Sequence, residues 1–109
     1  MTSRIRKKDL AIVQMFKSLV SMKITVQEIR IFGSRARGKA TSESDLDVLV
    51  VVDLLTHEIE RYVSECAWNA GFPKNVIVMP VVIARDMLIN TAIKDSVFIQ
   101  NVFREGVLV

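Results

Sequence analysis

A Gly-Ser pair closes an apolar run at Ile29-Arg30-Ile31-Phe32-Gly33-Ser34. After ten intervening residues, Asp45-Leu46-Asp47 opens a second apolar run that continues to Val52. This spacing constrains the chain more than any other feature. In an extended strand, residues two apart point to one face, so Asp45 and Asp47 present two carboxylates side by side. Two convergent carboxylates suit a hard divalent cation such as Mg²⁺, with water and phosphate oxygens filling the remaining positions. Gly33 lets backbone approach a phosphate closely, and Ser34 offers a hydroxyl and an N–H. The region Ser34 to Gly38 is expected to form a short helical turn with its amides facing phosphate. Asp47 has no cheap structural explanation on a central apolar strand, because a buried unpaired carboxylate is costly.

The rest of the chain supplies a frame for this motif. Leu10, Ile12, Val13, Phe16, Leu19 and Val20 fit an amphipathic helix within residues 5–22. A strand is predicted over residues 24–32 and a buried strand over 45–52. Leu55, Ile59, Tyr62, Val63, Cys66 and Ala70 form the stripe of a second helix over 54–70. Asp53 or Thr56 is placed to cap its start, and Gly71 and Pro73 end it. Residues 76–84 read as a third strand, which Pro80 assigns to a sheet edge or a bulge. A last helical region, in two pieces, runs from Arg85 to near Gly106. The order α-β-α-β-α-β-α gives an α/β (α+β) fold, a small sheet covered by helices. The 109 residues make one domain, 1–109.

The string Gly33-Ser34-Arg35-Ala36-Arg37-Gly38, with Ser44-Asp45-Leu46-Asp47, resembles the nucleotidyltransferase superfamily of DNA polymerase beta and the aminoglycoside nucleotidyltransferases. It is most similar to the small single-domain minimal nucleotidyltransferases. The resemblance implies a mixed three-stranded sheet and an Mg²⁺–NTP site with ATP as the common donor. It also implies transfer of a nucleoside monophosphate to an acceptor hydroxyl. Asp45 and Asp47 would ligate the metal as the catalytic acids. Gly33 and Ser34 would meet phosphate, with Arg35 and Lys39 as further candidates. Arg35 and Arg37 read equally well as salt-bridge partners of Glu43 or Asp45.

The chain departs from the family at one position. The resemblance implies a third carboxylate on the strand after the second helix, and that position falls at Ile77. A missing general base costs about 10²–10⁴ in rate. The acceptor then carries its own base, or Glu43, Asp53 or Asp86 swings in, or the chain binds nucleotide without efficient catalysis. The stretch Val78-Met79-Pro80-Val81-Val82 is similar to a subgroup that lacks this acid. Such proteins are often paired with a helical HEPN-type protein in toxin–antitoxin fashion. The alternative function is therefore a weak or inactive antitoxin-like partner.

Charge and composition narrow the remaining classes. Net charge is +3, a mild basic excess densest at Arg4, Arg6, Lys7 and Lys8. That cluster reads as a solvated first helical turn or as a contact for RNA or an acidic partner, and a plain RNA-binding role leaves Asp47 unexplained. Cys66 is the only cysteine, so no intramolecular disulfide forms, and a core thiol is the expectation. No apolar run spans a membrane and no leader is read, so a cytoplasmic location is expected. The few strands and abundant apolar helices point to a homodimer or hetero-oligomer.

Overall fold

The computed structural model describes residues 5–38, 41, 44–90 and 92–109. Glu43, Lys39 and Arg4, named above, lie outside the described residues. The elements are α1 (Lys7–Ser21), β1 (Val26–Phe32), β2 (Leu46–Val52), α2 (His57–Gly71), β3 (Val78–Ala84), α3 (Arg85–Asn90), α4 (Val97–Glu105) and β4 (Val107–Leu108), with 3₁₀ turns at Phe72–Lys74 and Ala92–Asp95. The sheet order is β3-β2-β1-β4. β1 is antiparallel to β2 and β4, and β2 is parallel to β3.

The fold is mixed α+β with helices on both faces of the sheet. The alternation along β2 decides which helices go where. Leu46, Val48, Val50 and Val52 pack on Val13, Phe16 and Val20 of α1 and on Val63, Cys66 and Ala67 of α2. Leu49 and Val51 face the other way, onto Ile99 and Val102 of α4 with Met87 and Leu88 of α3. A strand buried on both faces reads as a continuous apolar run, and β2 is one. Thr56 caps α2, its hydroxyl accepting from Ile59 N–H at 3.1 Å. Ser96 does the same for α4 at Ile99, 3.2 Å.

One expectation is corrected. The sheet has four strands, not three, because Val107 and Leu108 pair with Ile31 and Arg30. Two residues are too short for a periodicity to show. The segment after Gly33 is a single short helical turn, as expected. Ala36 and Arg37 N–H both donate to the Gly33 carbonyl, at 3.1 and 3.3 Å, and Gly38 to Arg35 at 3.4 Å. Among the described residues, no helix is long and apolar enough to cross a membrane.

Candidate functional site

The β1–β2 hairpin builds the centre of the site. Phe32 pairs with Asp47 across the ladder, which sets Gly33 against the Asp47 side chain. Gly33 has φ +77°, and a Cβ placed on it would lie 2.5 Å from Asp47 Oδ2. Glycine is needed here twice: for the left-handed backbone and for the room the carboxylate occupies. Asp47 shares a face with Leu49 and Val51, so it points to the α3/α4 side. Asp45, two residues earlier and exposed, follows the same alternation.

Burial raises the Asp47 carboxyl above the usual carboxylate range, and the nearby Asp45 charge raises it further. Two neighbouring carboxylates match the donor set of Mg²⁺, which keeps most of its shell as water and phosphate oxygen. Among the described residues, no group of three or more His, Cys, Asp and Glu converges as a metal site.

The strand after α2 lies beside the acids without adding one. In the parallel ladder Asp47 is abreast of Met79 and Leu46 of Val78. Leu46 N–H donates to the Ile77 carbonyl at 2.9 Å, so Ile77 continues the register towards Asp45. Alternation puts Ile77 and Met79 on the face of the two acids, where they are 53% and 46% exposed. Two of the substitute acids considered from sequence are excluded by direction. Asp53 follows β2 at its far end, about 20 Å along a seven-residue strand, and accepts from Gln27 at 2.7 Å. Asp86 follows β3, which runs parallel to β2, and so sits at that far end too.

Arg35 has a different partner from those expected. It is 4% exposed, and its NH1 donates to Asp9 Oδ1 of α1 at 2.8 Å. Its Nε and NH2 donate to the Ser44 carbonyl at 2.9 and 2.6 Å. A guanidinium buried and committed in this way is not open to phosphate. It clamps both ends of the loop between Ser34 and Asp45 onto α1. Asp9 was missed in the sequence, although Ile5, Asp9, Ile12, Val13 and Phe16 follow helical spacing. That placement on the apolar stripe was the available signal. Among the described residues, Asp9 Oδ2 has no hydrogen-bond partner. Arg37 is exposed and pairs with Glu105 at 3.7 Å. Ser34 is half-buried beside Gly33. Burial pushes the Cys66 thiol up, as befits a core position.

A family model described as a nucleotidyltransferase domain matches residues 11–109. No curated protein matches the chain. Among solved structures, a toxin–antitoxin with AMP-PNP is similar over 92% of this chain and 70% of its own, with TM-score 0.61 and 20% identity. A candidate nucleotidyltransferase from Sulfolobus solfataricus is similar over 94% of this chain and 86% of its own, with TM-score 0.47 and 21% identity. At these identities the likeness is one of fold.

Proposed function

The chain belongs to the nucleotidyltransferase domain family, and from that premise we propose that it binds an Mg²⁺–nucleoside triphosphate, ATP, and transfers its nucleoside monophosphate to an acceptor hydroxyl on a partner protein. The observation that carries this reading is the contact of Gly33 with Asp47, with Asp45 two residues away on the same face. Asp45 and Asp47 would hold the metal, which would supply charge neutralisation at the triphosphate. The Gly33 backbone and the Ser34 hydroxyl hold the β- or γ-phosphate. Lys39 is a further phosphate contact. The acceptor oxygen forms a bond to the α-phosphorus while the α–β phosphoanhydride bond breaks and pyrophosphate leaves, the hydroxyl's proton passing to a base that the acceptor itself carries, since β3 offers none. The Arg35–Asp9–Ser44 clamp holds the loop that joins the phosphate half of the site to the metal half.

The bare edge at Ile77 and Met79 favours a second reading. With no acid on β3, nothing there takes the acceptor's proton. The chain then serves as a nucleotide-binding, antitoxin-like partner of a HEPN-type protein with weak chemistry. A fold neighbour that is a toxin–antitoxin with AMP-PNP is in keeping with it. Calorimetry with ATP and Mg²⁺ on the wild type and Asp45→Asn/Asp47→Asn tests the site. Equal binding by both proteins would sink the assignment. Labelled AMP appearing on a co-purified partner separates the enzyme from the binding module.

A further inference from the structure

We infer that the groove between the end of β1 and α4 seats the nucleobase of the donor, with Phe98 as its stacking face and Asn101 reading adenine. The inference rests on the phosphate and metal site proposed above and adds a base site to it. Phe32, Gly33, Arg37, Phe98, Asn101 and Glu105 line the groove together with Val102. Gly33 is the hinge of the argument, since it touches both this groove and the Asp47 carboxylate. Phe32 is the ladder partner of Asp47, so the two side chains share the α4 face of the sheet. A ligand whose phosphates meet Gly33 therefore has this groove as its neighbour on the β1 side. Ile77 and Met79 leave the β3 side to the acceptor.

Size and chemistry select one part of the nucleotide. The groove holds about 190 Å³. Whole drug-sized ligands occupy roughly 300–1,000 Å³, so a single flat ring system fits and an entire nucleotide does not. The Phe98 and Phe32 rings are nearly perpendicular, with centroids 5.4 Å apart at 85°. Phe98 remains 46% exposed within the groove, the area on which a planar partner would stack. Arg104 donates to Asn101 Oδ1, which orients the carboxamide. That oxygen keeps a second lone pair, and Nδ2 keeps its donors. One donor and one acceptor side by side complement the N6 amine and N7 of adenine. Guanine presents two acceptors, O6 and N7, on that edge, and one would oppose Oδ1. Glu105 is held by Arg37 at 3.7 Å and Arg104 at 3.8 Å, so the rim carries no unpaired acid.

Calorimetry in Mg²⁺ with three probes, ATP, GTP and inorganic tripolyphosphate, separates the base site from the phosphate site. The wild type should bind ATP at least tenfold more tightly than tripolyphosphate and prefer ATP to GTP. Phe98→Ala should weaken ATP roughly 5- to 100-fold, the usual range for loss of one base stack, and leave tripolyphosphate unchanged. Phe98→Tyr should restore ATP affinity. Asn101→Ala should narrow the ATP/GTP ratio roughly fivefold or more. Thermal melts of the variants, at a half-exposed position and a partly exposed one, verify folding. Equal affinity for ATP and tripolyphosphate would overturn the base site and leave the phosphate site standing. So would Phe98→Ala weakening both probes alike, or a preference for GTP. Absence of binding by all three probes would remove the phosphate site and this inference with it.

Discussion

Replacing Gly33 by alanine tests how the site is assembled. The new Cβ would lie 2.5 Å from Asp47 Oδ2, against 3.4 Å from Cγ and 3.5 Å from Cβ. Only the carboxylate end clashes, so Asp47 must rotate while its backbone stays. Holding an L-residue at φ +77° costs about 1–2 kcal/mol. Forcing Asp47 off its rotamer adds about 0.5–1.5 kcal/mol. A combined loss near 2–3 kcal/mol leaves a domain of ordinary stability folded, with Tm lower by roughly 10–20 °C. Mg²⁺–ATP affinity should fall roughly 10- to 100-fold, since a ligating side chain has lost its orientation. Urea melts of Gly33→Ala in wild-type and Asp47→Ala backgrounds separate the two costs. In the second background only the backbone strain should remain, giving a coupling near 1 kcal/mol. An equal cost in both backgrounds would show that Gly33 and Asp47 are not in contact. Unchanged nucleotide binding would show that the contact does not matter to the site.

The remaining expectations concern charge. Asp47 has a raised carboxyl pKa in the folded chain, so its ionisation costs stability above the usual carboxylate range, and that cost is relieved as pH falls through the raised value. Melts from neutral pH downward should show this component in the wild type, its loss in Asp47→Asn, and a simultaneous weakening of Mg²⁺ binding. Asp45→Asn should reduce the Asp47 shift without abolishing it, since burial is the larger cause; carboxyl NMR titration reads it directly. Arg35→Ala leaves Asp9 buried and unpaired and should cost about 3–5 kcal/mol in urea unfolding, whereas Asp9→Leu/Arg35→Met should be much milder. Ile77→Asp should melt within about 0.5 kcal/mol of the wild type, as residue 77 is exposed, and should raise AMP transfer. A large loss of stability in that variant would place residue 77 in the core instead.

The sequence announces those parts of the site that lie close along the chain. Gly33 and Asp47 are brought together by a hairpin, and a glycine before a polar loop and an acid on an apolar strand each carry a local signal. The edge position of β3 follows from Pro80 in the same way. Arg35 shows the limit. Its partner Asp9 is 26 residues away on another element, and its environment depends on how α1 lies on the sheet. From sequence it had the same appearance as Arg37, which stays in solvent. Asp53 and Asp86 were candidates only while strand direction was unknown. The groove at Phe98 and Asn101 needs α4 to be docked on β1, which no local pattern encodes. β4 is a consequence of the sheet already being there.

The two margins of the sheet bear on what this protein meets. The bond from Leu46 N–H to the Ile77 carbonyl, with Leu46 abreast of Val78, turns Ile77, Met79 and Val81 towards β2. The nitrogen of Pro80 therefore faces the open margin, where a strand from another chain would look for a donor and find none. At the other margin β4 offers two residues. Growth of the sheet by an added strand is penalised at both ends. The end of α2, where exposed Trp68 stacks on Phe72 at 4.9 Å, offers a side-chain surface instead. A companion chain would then recognise shape and apolar side chains rather than backbone.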